Sequence, residues 1–413
     1  MKRLFYNPAQ IVTVSTNGNN VKRGAELNKI GVLENHSILT EDDIILDIFP
    51  NSELNNKDYD EQIDLSGKVL MPGLVESHTH AVFAGSRANE FRMRLAGASY
   101  EEIAKQGGGI LNTVKAVRNS SFDELIEITK PRIERFIQLG VTSLEIKSGY
   151  GLSYYDEIKM LQVINELNRL YPIDIIPTFL GAHTFPPEYQ NDKTKYVDLI
   201  VNEMLPFISE NNLALFIDAF CEATAFSAQQ VETIFIKAID YGLKLKLHTE
   251  QFNRIGGLDV ALKLNATSVD HLEVLNESEI EKLADSNTAA VLLPGVSFFL
   301  NYGFAPARKL IDSGAIVALA TDFNPGSSHI LNPHLVMSLA AIKAGMTIEE
   351  TISAYTINAA FALNINDRVG SIEVGKQADF SIFDTNTFSD ISYSVGQNLN
   401  KMTIKSGNVI FPG

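Results

Sequence analysis

The amino-acid sequence predicts an α/β protein built on a (β/α)8 TIM barrel, with a small β-sandwich-like domain assembled from both ends of the chain. In the middle of the chain, short apolar runs typical of strands alternate with segments of helical periodicity. At the two ends, brief apolar runs are separated by clusters of Asn, Gly and Asp that favour turns. Eight β/α units over residues 67–362 match the usual size of this barrel, and a doubly wound open sheet is the alternative.

The composite β domain is predicted to combine residues 1–66 with residues 363–413. Runs such as QIVTV and DIILDIF lie in the first segment, and GSIEVGKQADFSIFD and MTIKSGNVIF lie in the last. Because turn-forming residues separate these runs, we expect short strands to which both termini contribute.

The barrel strands are predicted at apolar segments that follow one another along the chain. In order they are KVLMPGLVESHTH, GVTSLEIKSG, IDIIPTFLGAHTF, LALFIDAFCEA, LKLKLHTE, ATSVDHLEV, TAAVLLPGVSF and AIVALATDF. Helical periods such as YYDEIKMLQVINELNRLY lie between them. The glycines at 107–109 lie in the long connection 81–140 rather than directly after a strand, which argues against a dinucleotide-binding turn. That connection is long enough to form a lid over the barrel.

Composition excludes several classes of function. Of the 413 residues, 45% are hydrophobic and 20% are charged, and the formal net charge is −16. Such a charge argues against binding to nucleic acid or to an anionic membrane. The single cysteine, Cys221, fits a reducing compartment, and no stretch predicts a signal peptide or a membrane span. We therefore expect a cytoplasmic protein.

Histidine and carboxylate side chains recur at the C-terminal ends of the predicted strands, where barrel active sites form. His78 and His80 end strand 1 two positions apart, so both imidazoles point to one face. The residues at the other strand ends are Tyr150 (strand 2), His183 (strand 3), His248 (strand 5), His271 (strand 6) and Asp322 (strand 8). Three nitrogen donors and one carboxylate suit Zn²⁺ or Fe²⁺ and leave a position for water.

Each of these residues also has an ordinary structural explanation. His78 and His80 could be a chance surface pair, and Asp322 could cap the turn in TDFNPGSS. The segments KLHTE and LATDF place His248 and Asp322 at strand ends that match those of His78 and His80, and this shared placement favours the metal site. The other histidines fall in loops or at a helix start and are expected to be ordinary surface or capping residues: His36, His329 and His334.

With these residues identified, the chain resembles the metal-dependent amidohydrolase superfamily over nearly its whole length. The superfamily pattern is MPGLVESHTH, KLHTE, VDHLE and LATDFNPGSS. Within the superfamily, the chain is most similar to the imidazolonepropionase family, through HAVFAGSRANEF, AKQGGGILNTV, EIKSGYGL, FLGAHTFPPEY and TDFNPGSS. The resemblance implies hydrolysis of 4-imidazolone-5-propanoate to N-formimidoyl-L-glutamate in histidine degradation. It also implies a homodimer that holds one zinc or iron ion per subunit.

The resemblance assigns roles to individual residues. The expected metal ligands are His78, His80, His248 and Asp322. Arg87 would bind the propionate carboxylate by a charge-assisted contact, although it could also be a solvated loop arginine. The other expected substrate-binding residues are Tyr150, His183, Gln251, Asn324, Gly326 and Ser327. His271 and Asp322 would be the catalytic proton-transfer groups, with a purely orienting role for His271 as the alternative.

Two departures from the superfamily pattern bear on the chemistry. Binuclear members bridge their metals with a modified lysine on strand 4, which LALFIDAFCEA lacks, and Lys147 on strand 2 is not expected to replace it. Mononuclear deaminases tend to place a glutamate three residues after the strand 5 histidine, where this chain has Gln251. The alternatives are a deaminase or another cyclic amidohydrolase, and a barrel that lost catalysis and serves as a scaffold.

Overall fold

The structure is a computed structural model that describes residues 1–97 and 108–413. The motif AKQGGGILNTV, in the connection 81–140, therefore begins outside the described residues. The strands in the first part of the chain are β1 (Lys2–Tyr6), β2 (Gln10–Val12), β3 (Val32–Leu33), β4 (His36–Glu41), β5 (Ile44–Pro50), β6 (Glu61–Asp64) and β7 (Val69–Pro72). They belong to two small sheets rather than to the barrel.

The barrel is a sheet of eight strands that lie side by side in chain order. They are β8 (Leu74–Glu76), β9 (Val141–Lys147), β10 (Asp174–Ala182), β11 (Phe216–Cys221), β12 (Lys244–Thr249), β13 (Ser268–His271), β14 (Ala289–Leu292) and β15 (Ile316–Leu319). Neighbouring strands pair in parallel throughout. Each of the eight segments expected from the sequence contains one of these strands, so the predicted barrel is confirmed.

The first and last barrel strands meet just beyond their C-terminal ends. A parallel bridge joins Thr79 to Phe323. The backbone N–H of Asp322 donates to the carbonyl of His78 at 3.1 Å, and that of His80 donates to the carbonyl of Phe323 at 3.0 Å. This junction, which we call the seam, closes the ring where the predicted metal ligands lie.

The segment KVLMPGLVESHTH contains two strands in two different sheets. Its first half is β7, and its second half is β8. Gly73 lies between them, and a Cβ at this position would lie 2.5 Å from Thr142 Cγ2. Glycine is needed here because the backbone passes so close to the neighbouring barrel strand.

Both ends of the chain contribute to the small sheets. The strands β16 (Phe380–Phe383), β17 (Asn400–Lys405) and β18 (Asn408–Phe411) complete a sheet in the order β18-β17-β16-β7-β2-β3. A second sheet has the order β5-β4-β1-β6. Their shared core includes Phe5, Ile38, Leu70 and Phe380. The expected division at 66/67 and 362/363 stays a prediction, and β7 pairs with the small sheet although it follows residue 66.

Helices cover the outside of the barrel. They are α1 (Ala88–Leu95), α2 (Ile110–Asn119), α3 (Phe122–Gln138), α4 (Tyr154–Leu170), α5 (Lys193–Leu199), α6 (Leu205–Glu210), α7 (Ala228–Asp240), α8 (Gly257–Lys263), α9 (Glu277–Ala284), α10 (Pro294–Leu300), α11 (Ala307–Ser313), α12 (Pro333–Ala344), α13 (Ile348–Tyr355), α14 (Ile357–Ala362) and α15 (Ser389–Tyr393). A π-helical turn, Ile200–Met204, joins α5 to α6. Several helices begin at a capping box, as α3 does where Ser121 and Glu124 exchange hydrogen bonds. Within the described residues, no helix is both long and apolar enough to cross a membrane.

Candidate active site

The four predicted metal ligands come together at the C-terminal ends of the barrel strands. Ring nitrogens of His78, His80 and His248 all lie within 4.8 Å of one another. Asp322 Oδ1 lies 3.3 Å from Nε2 of His78 and 3.3 Å from Nε2 of His80. All four side chains are buried. The structure therefore brings residues from β12 and from both sides of the seam into one cluster.

The unpaired polar atoms of this cluster fit a bound cation. Nε2 of His78, Nε2 of His248 and Oδ1 of Asp322 are buried and have no hydrogen-bond partner among the described residues. Leaving such an atom unsatisfied costs about 1–3 kcal/mol, so native proteins rarely do so without a ligand or a water. Three imidazoles and one carboxylate are the donor set of mononuclear zinc or iron sites. The residues present thus fit a single metal ion.

The pKa values of the clustered side chains also bear on cation binding. Burial lowers the pKa of His80 and lowers that of His248 well below its usual value, which favours the neutral ring that binds metals. Burial would raise the pKa of Asp322, but contacts with His78 and His80 hold it well below its usual value. Burial and Lys147 oppose a proton on His78, yet Asp270 and Asp322 raise its pKa to about 9. The surroundings of His78 therefore favour positive charge on its ring.

Two carboxylates that the sequence analysis did not assign support the imidazoles from behind. Nδ1 of His78 donates to Asp270 Oδ2 at 2.6 Å, and Nδ1 of His248 lies 3.0 Å from Asp218 Oδ2. Carboxylates in this position fix the tautomer and the orientation of a metal-binding histidine. A sequence signal existed, because Asp218 and Asp270 are charged residues inside otherwise buried strands.

Arg87 lies against the turn that follows β15. A Cβ at Gly326 would lie 2.7 Å from Arg87 Cζ and closer still to Nη1, so the guanidinium packs directly on the glycine. Arg87 Nε also donates to Glu90 Oε2 at 2.8 Å. Its side chain is 19% exposed, which argues against a freely solvated loop arginine. Two predicted substrate-binding residues, Arg87 and Gly326, are thus in contact.

The turn after β15 is organised by Asn324. Its Oδ1 accepts the backbone N–H groups of Gly326 and Ser327, each at 2.7 Å. Its Nδ2 donates to the carbonyl of Asp322 at 2.7 Å and to Ser327 Oγ at 2.9 Å. The Asn324 amide is therefore committed to the turn in this structure, while Gly326 faces Arg87.

Tyr150 and His183 form a wall beside the metal-ligand cluster. The His183 ring stacks on the His80 ring with centroids 5.3 Å apart, and Tyr150 lies 5.5 Å from His183. Nδ1 of His183 donates to the carbonyl of Gly149 at 2.9 Å, which directs Nε2 away from the backbone. Burial lowers the pKa of His183 to about 3, so its ring is neutral at pH 7. Both side chains are placed to contact a planar ligand.

The loop that carries Tyr150 is held by one buried carboxylate. Glu157, in α4, accepts backbone N–H groups from Gly149 at 3.0 Å, Gly151 at 2.8 Å and Leu152 at 2.8 Å. Such a cluster of donors satisfies a carboxylate that has little access to water. Sequence analysis did not identify Glu157 because the backbone N–H groups that donate to it lie in a loop that precedes its own helix.

His271 lies on the opposite side of the cluster. Its ring centroid is 5.4 Å from that of His248 and 6.0 Å from that of His78. Its φ of +86° lies in the left-handed region, which is rare for residues other than glycine and common at functional sites. Nδ1 of His271 lies 3.5 Å from Glu273 Oε1. The position of His271, next to His248 and His78, suits a proton-transfer group.

A chain of polar contacts connects Gln251 with this side of the site. Gln251 Nε2 donates to the Tyr302 hydroxyl at 3.0 Å, and that hydroxyl donates to Glu273 Oε1 at 3.3 Å. Glu222 Oε1 accepts the backbone N–H groups of Gln251 and Phe252, each at 2.9 Å, and so fixes the loop after β12. The sequence analysis proposed no role for Tyr302 or Glu273.

One of the three histidines expected at the surface is placed differently. His334 is 1% exposed and packs edge-on against Phe383 with ring centroids 5.3 Å apart, so the expectation of a surface or capping residue was wrong for it. The first turn of α12 faces β16 rather than solvent, which explains the burial. His329 is exposed and stacks on Phe323, and His36 is half-buried in β4.

Comparison with known proteins agrees with this geometry. The amidohydrolase family matches residues 212–410. The chain is 43% identical to an imidazolonepropionase of Flavobacterium johnsoniae, over 99% of this chain and 100% of that protein. It is 42% identical to an imidazolonepropionase of Clostridium tetani, over 99% and 98%. An adenosine deaminase from Xanthomonas campestris, solved with bound zinc, shares the fold at a TM-score of 0.73 and 19% identity, over 99% of this chain and 92% of that one.

Proposed function

The chain belongs to the imidazolonepropionase family of amidohydrolases, and from this membership we propose which residues carry out the reaction. The enzyme is a hydrolase acting on a cyclic amide. It cleaves the C–N bond of 4-imidazolone-5-propanoate and yields N-formimidoyl-L-glutamate in histidine degradation. Water adds to the ring carbonyl carbon, and the ring nitrogen leaves with a proton.

We infer that His78, His80, His248 and Asp322 hold one Zn²⁺ or iron ion in each subunit. The observation that carries this proposal is the set of buried, unpaired donor atoms that face one another in the cluster. When bound in such a site, the metal supplies Lewis acidity and lowers the pKa of water to about 7. The chain's own contribution is to keep the rings of His80 and His248 neutral and Asp322 ionised, since burial lowers the pKa of both histidines and contacts with His78 and His80 lower the pKa of Asp322.

Arg87 is proposed to bind the propionate carboxylate of the substrate. A guanidinium binds a carboxylate by charge-assisted hydrogen bonds that are often bidentate. The net charge of −16 does not attract an anionic substrate over long range, so this local contact has to provide the attraction. Gly326 borders the guanidinium, and Asn324, Gly326 and Ser327 from the same turn would contact this end of the substrate.

The remaining predicted residues are proposed to orient the ring and move protons. Tyr150 and His183 would flank the imidazolone ring on the side of His80, and Gln251 would contact it from the loop after β12. His271 is proposed to exchange protons with the attacking water and the departing nitrogen, with Asp322 as a second proton acceptor. Both residues border the same cluster, which supports this pairing of roles.

The compartment, the oligomeric state and the partners of the enzyme are also part of the proposal. We propose a cytoplasmic homodimer that acts on a small molecule and binds neither nucleic acid nor membrane. The acidic charge supports the absence of nucleic-acid and membrane binding, the single cysteine supports the cytoplasm, and the homodimer is proposed from the family resemblance alone.

The decisive experiment is turnover of freshly prepared 4-imidazolone-5-propanoate by purified enzyme, followed by loss of its ultraviolet absorbance. We expect one zinc or iron per subunit by metal analysis, loss of turnover with a chelator, and recovery on adding back one equivalent of metal. Full turnover by protein stripped of metal would contradict the proposed centre. Ammonia release from aminated purines or pyrimidines, without ring opening, would favour a deaminase instead.

A further inference from the structure

Five charged side chains lie inside the barrel below the metal-ligand cluster, all at 0% relative exposure. They are Glu145, Lys147, Asp218, Lys246 and Asp270, and we call them the buried charge cluster. Strand alternation explains their position, because Leu144 and Ile146 pack outward against the helices and leave Glu145 and Lys147 facing inward. Charges this deeply buried are destabilising unless they are closely paired. The proposed reaction uses none of them directly.

Lys147 is the hub of the buried charge cluster. Its Nζ lies 2.8 Å from Asp218 Oδ2, 2.8 Å from Glu145 Oε2 and 3.7 Å from Asp270 Oδ2. The ammonium group thus reaches from β9 to carboxylates on β11 and β13. Without it, Lys246, at 3.8 Å from Glu145 and 4.0 Å from Asp270, would be the one ammonium group left in the buried charge cluster, and repulsion among the three carboxylates would increase.

Two of these carboxylates support metal ligands. Asp270 Oδ2 accepts Nδ1–H of His78 at 2.6 Å. Asp218 Oδ2 lies 3.0 Å from Nδ1 of His248, while Asp218 Oδ1 accepts the backbone N–H of His248 at 3.2 Å. The hydrogen bond to Asp270 occupies Nδ1 of His78, and Asp218 lies behind Nδ1 of His248 in close contact, so each carboxylate favours a ring whose Nε2 faces the cluster. One ammonium group therefore contacts the supports of two ligands.

We propose that Lys147 is a positioning residue for the metal centre: by holding Asp218 and Asp270, it aims Nε2 of His248 and His78 at the ion. This inference rests on the proposed metal site. It gives the strand 2 lysine a role that is neither bridging nor catalytic, since Lys147 acts only through the two aspartates.

Lys246 provides a matched control within the same cluster. It is also a lysine at 0% exposure, and its Nζ donates to the carbonyls of Ser77 at 3.4 Å and Ala362 at 3.3 Å. Its Nζ lies 4.0 Å from Asp270 Oδ2, close to the 3.7 Å of Lys147. The two lysines differ at Asp218, which forms an ion pair with Lys147 at 2.8 Å and, within the described residues, none with Lys246. Removing Lys246 takes away the same charge from the same interior but leaves the ion pair that holds Asp218 behind His248.

The test measures zinc affinity of stripped and reloaded protein by competition with a chromogenic chelator. Loss of a group that orients a ligand typically lowers metal affinity about 10–100-fold. We expect Lys147→Met to weaken zinc binding by at least about tenfold, and Lys246→Met by less than about threefold. Wild-type affinity in Lys147→Met, or an equal loss in both variants, would overturn the inference. A wild-type protein that binds no stoichiometric zinc would instead refute the proposed metal site.

A second measurement covers the case in which Lys147→Met alone does not fold. The double variant Lys147→Met/Asp218→Asn removes one charge of each sign and keeps the balance of the buried charge cluster. In zinc-loaded protein labelled with ¹⁵N-histidine, the Nδ1–H signal of His78 reports on Asp270. We expect Asp218→Asn to leave that signal in place, and the double variant to shift or broaden it. An identical His78 signal in both variants would overturn the role of Lys147.

Discussion

Replacing Gly326 with alanine is expected to weaken substrate binding without changing any metal ligand. The added Cβ would lie 2.7 Å from Arg87 Cζ and 3.3 Å from Nη2. Ordinary contact between carbon atoms begins at about 3.5 Å, so the guanidinium has to move by about 1 Å. The φ of Gly326 is not in the left-handed region, so the backbone accepts alanine and the flexible end of Arg87 yields.

The expected rise in KM follows from the loss of the proposed hydrogen bond between Arg87 and the substrate carboxylate. A hydrogen bond to a charged group contributes about 1.5–3 kcal/mol, which corresponds to about 10–150-fold in affinity. We therefore expect KM to rise about 10–100-fold, with kcat changed only a few-fold and the free energy of unfolding changed by less than about 1 kcal/mol. Arg87→Ala should raise KM similarly, and the double variant should be no worse than Arg87→Ala, because both changes remove one contact.

The assay is steady-state loss of substrate absorbance, with metal content measured on the same samples. Gly303→Ala is the matched control, since a Cβ there would meet no atom of the described residues within 4 Å. A wild-type KM for Gly326→Ala would refute the placement of Arg87 at the substrate carboxylate. An equal rise in KM for Gly303→Ala would refute it as well, because the effect would then not depend on the contact.

Three further substitutions test the surrounding structure. Glu157→Ala leaves three loop N–H groups without their acceptor and should lower the free energy of unfolding by about 2–4 kcal/mol in denaturant titrations; unchanged stability would contradict the assigned hydrogen bonds. Gly73→Ala should destabilise the fold by about 1–3 kcal/mol through its clash with Thr142, and Thr142→Ala should partly restore stability in the same titration. Tyr302→Phe removes the hydroxyl that accepts from Gln251 and should lower kcat/KM about threefold to tenfold at unchanged metal content; a wild-type value would show that the contact is dispensable.

The barrel and the four clustered ligands could be predicted from the sequence for one physical reason. Parallel strands in a barrel carry their functional side chains at one end, so polar residues that close apolar runs gather there. His78, His80, His248 and Asp322 followed this rule. The run KVLMPGLVESHTH was predicted as one strand because both halves are apolar. The chain divides at Gly73, and the contact with Thr142 that requires glycine there is visible only in the folded structure.

The residues that sequence analysis did not assign depend on contacts across the barrel. Lys147 was considered only as a metal bridge, and its pairing with Asp218 and Asp270 requires three separate strands to be in register. Tyr302 contacts Glu273 only because the loop after α10 folds over the end of β13. Strand periodicity predicts the direction of a side chain, whereas such partnerships arise only once the ring is closed.

The seam between Thr79 and Phe323 has a consequence for biosynthesis. His78 and His80 leave the ribosome early, whereas Asp322 emerges only after most of the polypeptide has been made. A nascent chain that ends before Asp322 therefore carries the imidazoles without their carboxylate and without Phe323, whose bridge to Thr79 closes the ring. Binding of the proposed metal ion is therefore expected late, at or after the end of translation, and fragments truncated before residue 322 should be isolated without stoichiometric metal.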